Sequence, residues 1–487
     1  MAEGSDEPAA AKGGDAQAER VEAVLAKSSV FRKELGMRDL VLTQIMYVVG
    51  SGWVGTAAKL GDTHVVFWLA AIVLFYLPQA AVVVYLNRLM PLEGGLYQWA
   101  SVGLGRFLGF LTAWNLWAYT ILIMATFGVM IATNLAYLIG PLGATFVSSP
   151  VYTSVVSAVS IVGLTVISLF GVRVSKWLQN IGGTTQILMF SALILVPFIA
   201  LSRGTAGTYH PITIAMPSIT LFSLNIFGKM ALGALSGFEY VAILAGECRN
   251  PARSIGRATF VAVPIICLMF ILGTSSVLAL VPQDQIDLVS PIPQTLGIGF
   301  AGLGFASLIV PILISFLLLR QIGNVALIFA GNTRLPMVAG WDGLLPKWFT
   351  RLHPRFHTPY NSIFFVGALT LVITLAGQIG VGVQEAFQLL ENAAGIFYAF
   401  TYLALFAIPL FGAKRLSVKP PLWLRAAAAS GFVVSLLYSV LSVFPIIDVD
   451  SWTVFAVKII SVLLVANLIG IAIYRLAGRR NRKQIAP

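Results

Sequence analysis

The chain has 487 residues, of which 58% are hydrophobic and only 10% are charged. Soluble globular proteins carry about 25% charged residues, so this composition excludes a soluble domain and indicates an integral membrane protein. The net charge of +12 is compatible with nucleic-acid binding, but the distribution of the basic residues favours a membrane protein that binds no nucleic acid. The cysteines and histidines show no metal-ligand spacing beyond His353 and His357, which share a basic loop, and we expect no metal site.

The N-terminal segment, residues 1–36, is polar and contains no hydrophobic signal core. We therefore expect a disordered cytosolic tail and not a cleaved signal peptide. About twenty apolar residues are needed for each crossing of the bilayer. Twelve segments meet that requirement, and a basic cytosolic tail, residues 476–487, follows them. The predicted spans are 39–62, 65–86, 107–139, 151–171, 176–202, 221–246, 257–281, 300–331, 361–377, 385–411, 422–444 and 452–475.

The first predicted span is interrupted by Gly50, Gly52 and Gly55. Each glycine weakens a helix by about 1 kcal/mol relative to alanine. Lipid offers no hydrogen-bond partner to the backbone groups that a broken helix exposes. Two interpretations are open at this point. The glycines form either an unwound stretch at a polar site or a small-residue surface for close helix packing.

The sixth predicted span contains a second cluster of small residues, at positions 233–237, followed at once by Phe238 and Glu239. Interrupted helices at corresponding positions in two halves of a chain are typical of secondary transporters, which bind substrate at the breaks. The second interruption therefore favours the polar-site interpretation of the first.

The basic residues are distributed unevenly between the two sides of the predicted spans. Most of the 31 Lys and Arg residues fall in the tails and in the loops on one side, whereas Lys59 and Arg203 fall in loops on the other. Because cytoplasmic loops carry the excess of Lys and Arg, both termini are predicted to be cytosolic in a multi-pass protein of the plasma membrane.

Four ordered motifs resemble the amino acid–polyamine–organocation (APC) transporter superfamily, and the resemblance covers about residues 36–440. One such motif would be weak, but four in the right order are specific. The motifs are GSGWVG (50–55), MPLEGGLYQWASVGLGRFLGFLTAW (90–114), LSGFEYVAILAGECRNPARSIGRA (235–258) and NTRLPMVAGWDGLLPKWFTRLHPRFHTP (332–359).

The resemblance implies an all-α integral membrane fold of twelve transmembrane helices, with the first and sixth helices broken. Two inverted five-helix repeats would occupy residues 37–202 and 221–411, and two accessory helices would occupy residues 422–475. It also implies a secondary-active amino acid transporter that works by alternating access. The alternatives are a polyamine or organic cation transporter and an amino acid exchanger.

The broken helices suggest how an amino acid is bound. A break exposes amide donors at the start of the second half-helix and carbonyl groups at the end of the first. The donor end suits a carboxylate, so we assign Ser51, Gly52 and Trp53 to an α-carboxylate. A polyamine would leave these donors unused, which favours amino acids. The carbonyl ends expected to bind an α-ammonium group lie at Tyr47, Val48, Ala234 and Leu235.

Side chains near the breaks are candidates for substrate selectivity. Phe238, beside the second break, is the best candidate for a gate, although aromatic residues within helices more often serve in packing. The wider set of candidates is Trp53, Asn115, Tyr119, Phe238 and Tyr240.

Charged residues inside the spans are functional candidates by default. Glu239 has three open roles: binding the substrate ammonium, carrying a proton, or accepting from loose backbone amides. Lys229 is expected to reach the membrane interface, with a role in the pocket as the alternative. Arg320 and Glu391 have no visible partner, and pairing with each other is one option. Lys458 is expected to be interfacial.

The coupling ion, H⁺ or Na⁺, stays open, as does the choice between symport and antiport. Many proton-driven members of the superfamily carry a lysine in the fifth helix, and alignment of residues 171–187 places Gln186 there. An amide does not cycle a proton at physiological pH. The coupling candidates are therefore Glu239, Gln186 and Lys229.

The spans carry no intramembrane histidine, thiol–base pair or nucleotide-binding loop, so we do not expect an enzyme. The expected partners are an amino acid substrate and the lipid bilayer. No cofactor other than the coupling ion is expected, and an accessory subunit stays open.

Overall fold

The computed structural model describes residues 35–90, 95–139, 143–147, 149–170, 172–204, 214–239, 248, 250–304, 306–333, 336–337, 343–377 and 383–485. The predicted N-terminal tail, apart from residues 35 and 36, lies outside this part, as do Tyr240 and the end of the basic C-terminal tail. Residues 476–485 of that tail continue the last helix.

Every predicted span overlaps a helical segment, and the segments are labelled α1 to α12 in chain order. The label α1 covers two helices, α1a (Met37–Val48) and α1b (Ser51–Ala58). The others are α2 (Gly61–Leu89), α3 (Arg106–Ile139), α4 (Pro150–Leu169), α5 (Val172–Ser202), α6 (Leu221–Ala234), α7 (Pro251–Leu280), α8 (Ala306–Asn332), α9 (Tyr360–Gly377), α10 (Val383–Phe411), α11 (Leu422–Leu441) and α12 (Trp452–Ile485).

Within the described ranges, nine helices are long and apolar enough to cross a membrane. A tenth crossing results if α1a and α1b form one span that is bent by 43°. The helices α6 and α9 are apolar but shorter, and residues 240–246 of the predicted sixth span lie outside the described residues. The multi-pass character is thus established, whereas the number of twelve spans stays a prediction.

The three glycines of the first span have different structural environments. Val49 and Gly50 separate α1a from α1b, and Gly50 is extended, with φ −80° and ψ 134°. Gly52 lies inside α1b, directly after its first residue. A Cβ atom at Gly55 would lie 2.9 Å from the ring of Pro291, so this glycine allows close packing. The helix is therefore interrupted at Gly50 and closely packed at Gly55, while a polar site at the interruption stays a prediction.

The break in α6 depends on Gly237. The helix changes to π-helical geometry at residues Lys229–Ala234, and Ser236 and Gly237 are not helical. Gly237 has a φ of +130°, which is strained for any residue with a side chain.

The helices pack as one bundle around the two breaks. Helix α1a packs against α5, α7 and α8, and α1b packs against the π-helical part of α6. Helix α10 lies along α3 on one side and α11 on the other, while α12 is added at the edge against α3 and α10. This arrangement encloses the breaks, because the largest fully buried side chains include Tyr402, Phe238, Arg320 and Lys229.

Candidate functional site

The two helix breaks lie against each other. The indole ring of Trp53 packs between them, since a Cβ atom would lie 2.4 Å from this ring at Gly50 and 2.5 Å from it at Gly233. The ring of Tyr47 packs on Gly237, where a Cβ atom would lie 2.2 Å from it. Three glycines thus bring the unwound backbone of α1 and α6 into one buried region.

The amide end of the first break is formed by Ser51, Gly52 and Trp53, which are the first three residues of α1b. The first amides of a helix have no partner within the helix and carry the positive end of its dipole. Ser51 is 2% exposed, and its hydroxyl group bonds to no protein atom in the described part of the chain. A buried hydroxyl group without a partner at a helix start suits an anionic ligand.

The carbonyl ends of the breaks are partly occupied by the protein. The Val48 carbonyl accepts from the Gly50 amide at 2.9 Å, and the Leu235 carbonyl accepts from Nε2 of Gln79. A carbonyl oxygen has two lone pairs, so a single hydrogen bond does not saturate either of these groups. Ala234 is buried at the end of the π-helical part of α6.

The carboxyl group of Glu239 is fully buried beneath the second break. The hydroxyl groups of Tyr398 and Tyr402, one turn apart on α10, each contact one of its oxygens. The Tyr402 oxygen also accepts from the amide of Gly237 at 2.9 Å and lies 2.7 Å from Oε1 of Gln79. The side-chain oxygens of Glu239 thus contact tyrosine hydroxyl groups. The three roles considered for Glu239 stay open.

A tyrosine cluster extends this network to α1a and α3. The hydroxyl group of Tyr47 lies 3.4 Å from the hydroxyl groups of both Tyr119 and Tyr398. The rings of Tyr119 and Tyr398 are stacked with their centroids 4.1 Å apart and an interplanar angle of 3°. Helices α1, α3, α6 and α10 are therefore joined at the breaks by side-chain contacts.

Sequence reasoning missed Tyr398, Tyr402 and Gln79. A signal existed for each of them. Tyr398 and Tyr402 are four residues apart and thus share one face of a predicted helix, and Gln79 is an uncharged polar residue inside an apolar span. Neither feature of the sequence predicts which other helix these side chains contact.

The structure places some of the candidates for substrate selectivity at the breaks and others elsewhere in the bundle. Phe238 is fully buried and stacks on Tyr76, with the ring centroids 5.0 Å apart. Asn115 instead donates to Oδ1 of Asn467 on α12 at 3.0 Å, on the side of the accessory helix. Tyr240 lies outside the described residues.

The expectation that Lys229 reaches the interface is wrong. Its side chain is fully buried and donates to Oδ1 of Asn392 on α10. Glu391, the neighbour of Asn392, lies within electrostatic reach of the same ammonium group. Lys229 points into the protein because α6 packs against α10 there. Lys458 is half-exposed, as expected, and lies 3.4 Å from Glu385.

The suggested pairing of Arg320 with Glu391 is also wrong. Nη2 of Arg320 donates to the Val49 carbonyl at 2.9 Å and is 3.5 Å from the Met46 carbonyl. Nε2 of Gln186 donates to the same Val49 carbonyl at 2.8 Å. The position that alignment compares with a lysine thus lies at the carbonyl end of α1a, next to a guanidinium group from α8.

A large apolar cavity lies between α3, α9 and α12. Its volume is about 1220 Å³, and it is lined by aromatic residues such as Trp114, Trp117 and Phe365. It contains none of the predicted substrate-binding residues. We therefore treat the breaks, and not this cavity, as the candidate site.

A family model described as amino acid permease matches residues 35–466. The chain belongs to the amino acid permease family. This permease is 27% identical over 467 residues to the branched-chain amino acid permease BcaP of Lactococcus lactis subsp. cremoris, covering 92% of this chain and 94% of BcaP. It is 23% identical over 350 residues to the probable agmatine/putrescine antiporter AguD of Lactococcus lactis subsp. lactis, covering 71% and 72% of the two chains.

The permease is also similar in structure to MhsT, whose structure was determined in complex with L-phenylalanine. The TM-score is 0.62 at 13% identity, over 84% of this chain and 98% of MhsT, so this likeness concerns the fold alone. Together the comparisons confirm the resemblance to the APC superfamily. They also confirm the all-α membrane fold, and the structure shows the breaks in the first and sixth helices. The division into two inverted repeats stays a prediction. The repeat boundaries given above stay predictions.

Proposed function

We propose that this permease is a secondary-active transporter that binds an amino acid at the breaks of α1 and α6 and moves it across the membrane by alternating access. The observation that carries the proposal is the amide end of α1b, where Ser51 is the first helical residue and its buried hydroxyl group has no partner among the described residues. Family membership supports an amino acid as the cargo.

The substrate would lie with its carboxylate on the amides of Ser51, Gly52 and Trp53. Its ammonium group would donate to the carbonyls of Val48 and Leu235. Phe238 is proposed as the gate, because a ring beside the break is placed to cover a bound molecule. Tyr119, whose hydroxyl group lies 3.4 Å from that of Tyr47, is proposed to contact the substrate side chain.

Glu239 is proposed as the group that binds a coupling proton. The hydroxyl group of Tyr402 has one hydrogen, but it faces two acceptors, Oε1 of Gln79 and a carboxyl oxygen of Glu239. The Gln79 amide is oriented by its Nε2 bond to the Leu235 carbonyl. If Glu239 is protonated, it donates to Tyr402, which then donates to Gln79, and each acceptor is satisfied.

The chain is proposed to lie in the plasma membrane with both termini in the cytosol. The support is the uneven distribution of Lys and Arg in the sequence. An accessory subunit is not required by this proposal.

Transport by the purified protein tests the proposal. We expect proteoliposomes to take up one or more components of a mixture of radiolabelled standard amino acids, and unlabelled amino acids to compete. Agmatine and putrescine serve as competing cations that lack a carboxylate. Uptake of labelled putrescine without uptake of any amino acid would favour the organic cation alternative, to which the similarity with AguD points.

A further inference from the structure

We propose that Arg320 is a positioning residue that supplies a tethered cation to the carbonyl end of α1a, in the place where a mobile metal cation would otherwise be needed. The inference rests on the proposed function, because it concerns how the break in α1 is held during transport. It predicts that transport by this permease does not depend on Na⁺.

The carbonyl end of α1a attracts positive charge. The last carbonyl groups of a helix have no amide partner within it, and they carry the negative end of the helix dipole. The Ile45 and Val48 carbonyls accept from the backbone amides of Val49 and Gly50. The Met46 and Val49 carbonyls instead face a guanidinium group, at 3.5 and 2.9 Å from Nη2 of Arg320.

The Val49 carbonyl oxygen accepts hydrogen bonds from two side chains on different helices. Arg320 on α8 takes one lone pair, and Nε2 of Gln186 on α5 takes the other at 2.8 Å. A carbonyl oxygen has no third position, so this group has no room for a metal ion while both side chains are present. Gln186 contributes a donor but no charge, and the charge at this place is that of Arg320.

Glycines bring these two helices close to α1a. On α5, Gly182 lies one turn before Gln186, and a Cβ atom there would lie 2.6 Å from Sδ of Met46. On α8, Gly323 lies one turn after Arg320, and a Cβ atom there would lie 3.0 Å from the same sulfur. This close approach places the charged group on the backbone of α1a.

Stability alone does not account for the charge on Arg320, since a buried charge without a carboxylate partner is costly. Arg320 is 1% exposed, and in the described part of the chain no carboxylate forms an ion pair with it. Its Nε and Nη1 groups have no hydrogen-bond partner among the described residues. The contacts that compensate its burial are therefore those with the carbonyl end of α1a.

The first test compares wild-type protein in two salts. Proteoliposomes in sodium chloride and in choline chloride at equal ionic strength are given the mixture of radiolabelled standard amino acids, and the initial rates are measured. The expected result is the same rate in both salts. A rate that requires Na⁺ overturns the inference but leaves the proposed function intact, whereas no uptake in either salt contradicts the proposed function.

A thermal-shift measurement tests the inference without transport. The melting temperature of the purified wild-type protein is compared in sodium chloride and choline chloride at equal ionic strength. No difference between the salts is expected. Stabilisation that is specific to Na⁺ and saturates with its concentration, with Glu239→Gln behaving like wild type, would show a mobile cation and overturn the inference.

Substitutions at Arg320 separate charge from hydrogen bonding. Arg320→Lys keeps a cation, whereas Arg320→Gln keeps donors without charge. We expect Arg320→Gln to lower the initial rate by about tenfold or more, since removal of one partner from a buried charged contact is strongly unfavourable. Arg320→Lys should retain more of the rate, and Arg425→Gln, at an exposed position at the start of α11, is the matched control. Equal rates for Arg320→Gln and Arg320→Lys overturn a role for the charge. If neither variant folds, the two wild-type measurements decide.

Discussion

The ring of Tyr47 packs directly on Gly237, so the end of α1a touches the break in α6. This contact is only available to glycine, because Gly237 has a φ of +130° and a Cβ atom there would lie 2.2 Å from the ring. The end of α1a can therefore pack against the break in α6 only because Gly237 has no side chain. The effect of adding a side chain there can be predicted.

Replacement of Gly237 by alanine should lower both stability and transport. A non-glycine residue in such a backbone region costs about 1–3 kcal/mol, and displacement of Tyr47 adds to that. The melting temperature of the purified variant measures the effect. Gly163→Ala on α4 is the control, since nothing lies within 4 Å of a Cβ atom at that position. Equal melting temperatures for the two variants would contradict the contact between Tyr47 and Gly237.

Replacement of Gly52 by leucine should abolish uptake while leaving the protein folded and inserted in the membrane. A Cβ atom at Gly52 would meet only the Leu288 carbonyl, at 3.4 Å, so the backbone tolerates a side chain. The added isobutyl group would cover the amide end of α1b. Uptake into proteoliposomes is compared with that of Gly163→Leu, which faces open space. Normal transport by Gly52→Leu would remove the amide end from the substrate site.

Replacement of Glu239 by glutamine should alter the pH dependence of transport or the affinity for substrate. A neutral amide cannot exchange a proton with Tyr398 and Tyr402, so we expect uptake by the variant to vary less with pH than wild-type uptake does. Initial rates across a pH series check this. Lys458→Gln, at a half-exposed ion pair, is the control. If both variants follow the wild-type profile and affinity, Glu239 has no part in the mechanism.

Replacement of Lys229 by methionine should destabilise the protein. The change leaves the Asn392 acceptor buried without its donor, which costs about 1–3 kcal/mol. Thermal unfolding measures the effect against Lys458→Met, whose exposed pair contributes about 0–1 kcal/mol. Because methionine has a similar length, packing is largely preserved. A variant at Lys229 that is no less stable than that at Lys458 would contradict the buried contact.

Cysteine labelling in intact cells tests the predicted orientation. In a chain whose own Cys248 and Cys267 are replaced by alanine, a cysteine at Gly204 should react with a membrane-impermeant maleimide, and one at Gly478 should not. The basis is the excess of Lys and Arg on the side of the termini. Labelling of Gly478→Cys before cell lysis would place the C-terminus outside.

The sequence by itself determined the membrane class, the positions of the helices and the two breaks. These features are local: apolar runs predict spans, and glycines within them predict where a helix ends. The helix starting at Ser51 and the interruption at Gly237 were therefore within reach of sequence reasoning, even though the exact role of each glycine was not.

Only the tertiary structure decided which partner each buried polar side chain has. Tyr398 and Glu239 are 159 residues apart in the chain, Lys229 and Asn392 are 163 apart, and Arg320 and Val49 are 271 apart. A buried polar group must find a partner, but the requirement is met by any donor or acceptor that packing brings near. Helix packing is a property of the whole bundle, and this is why a lysine expected at the interface and an arginine without a visible partner both turned inward.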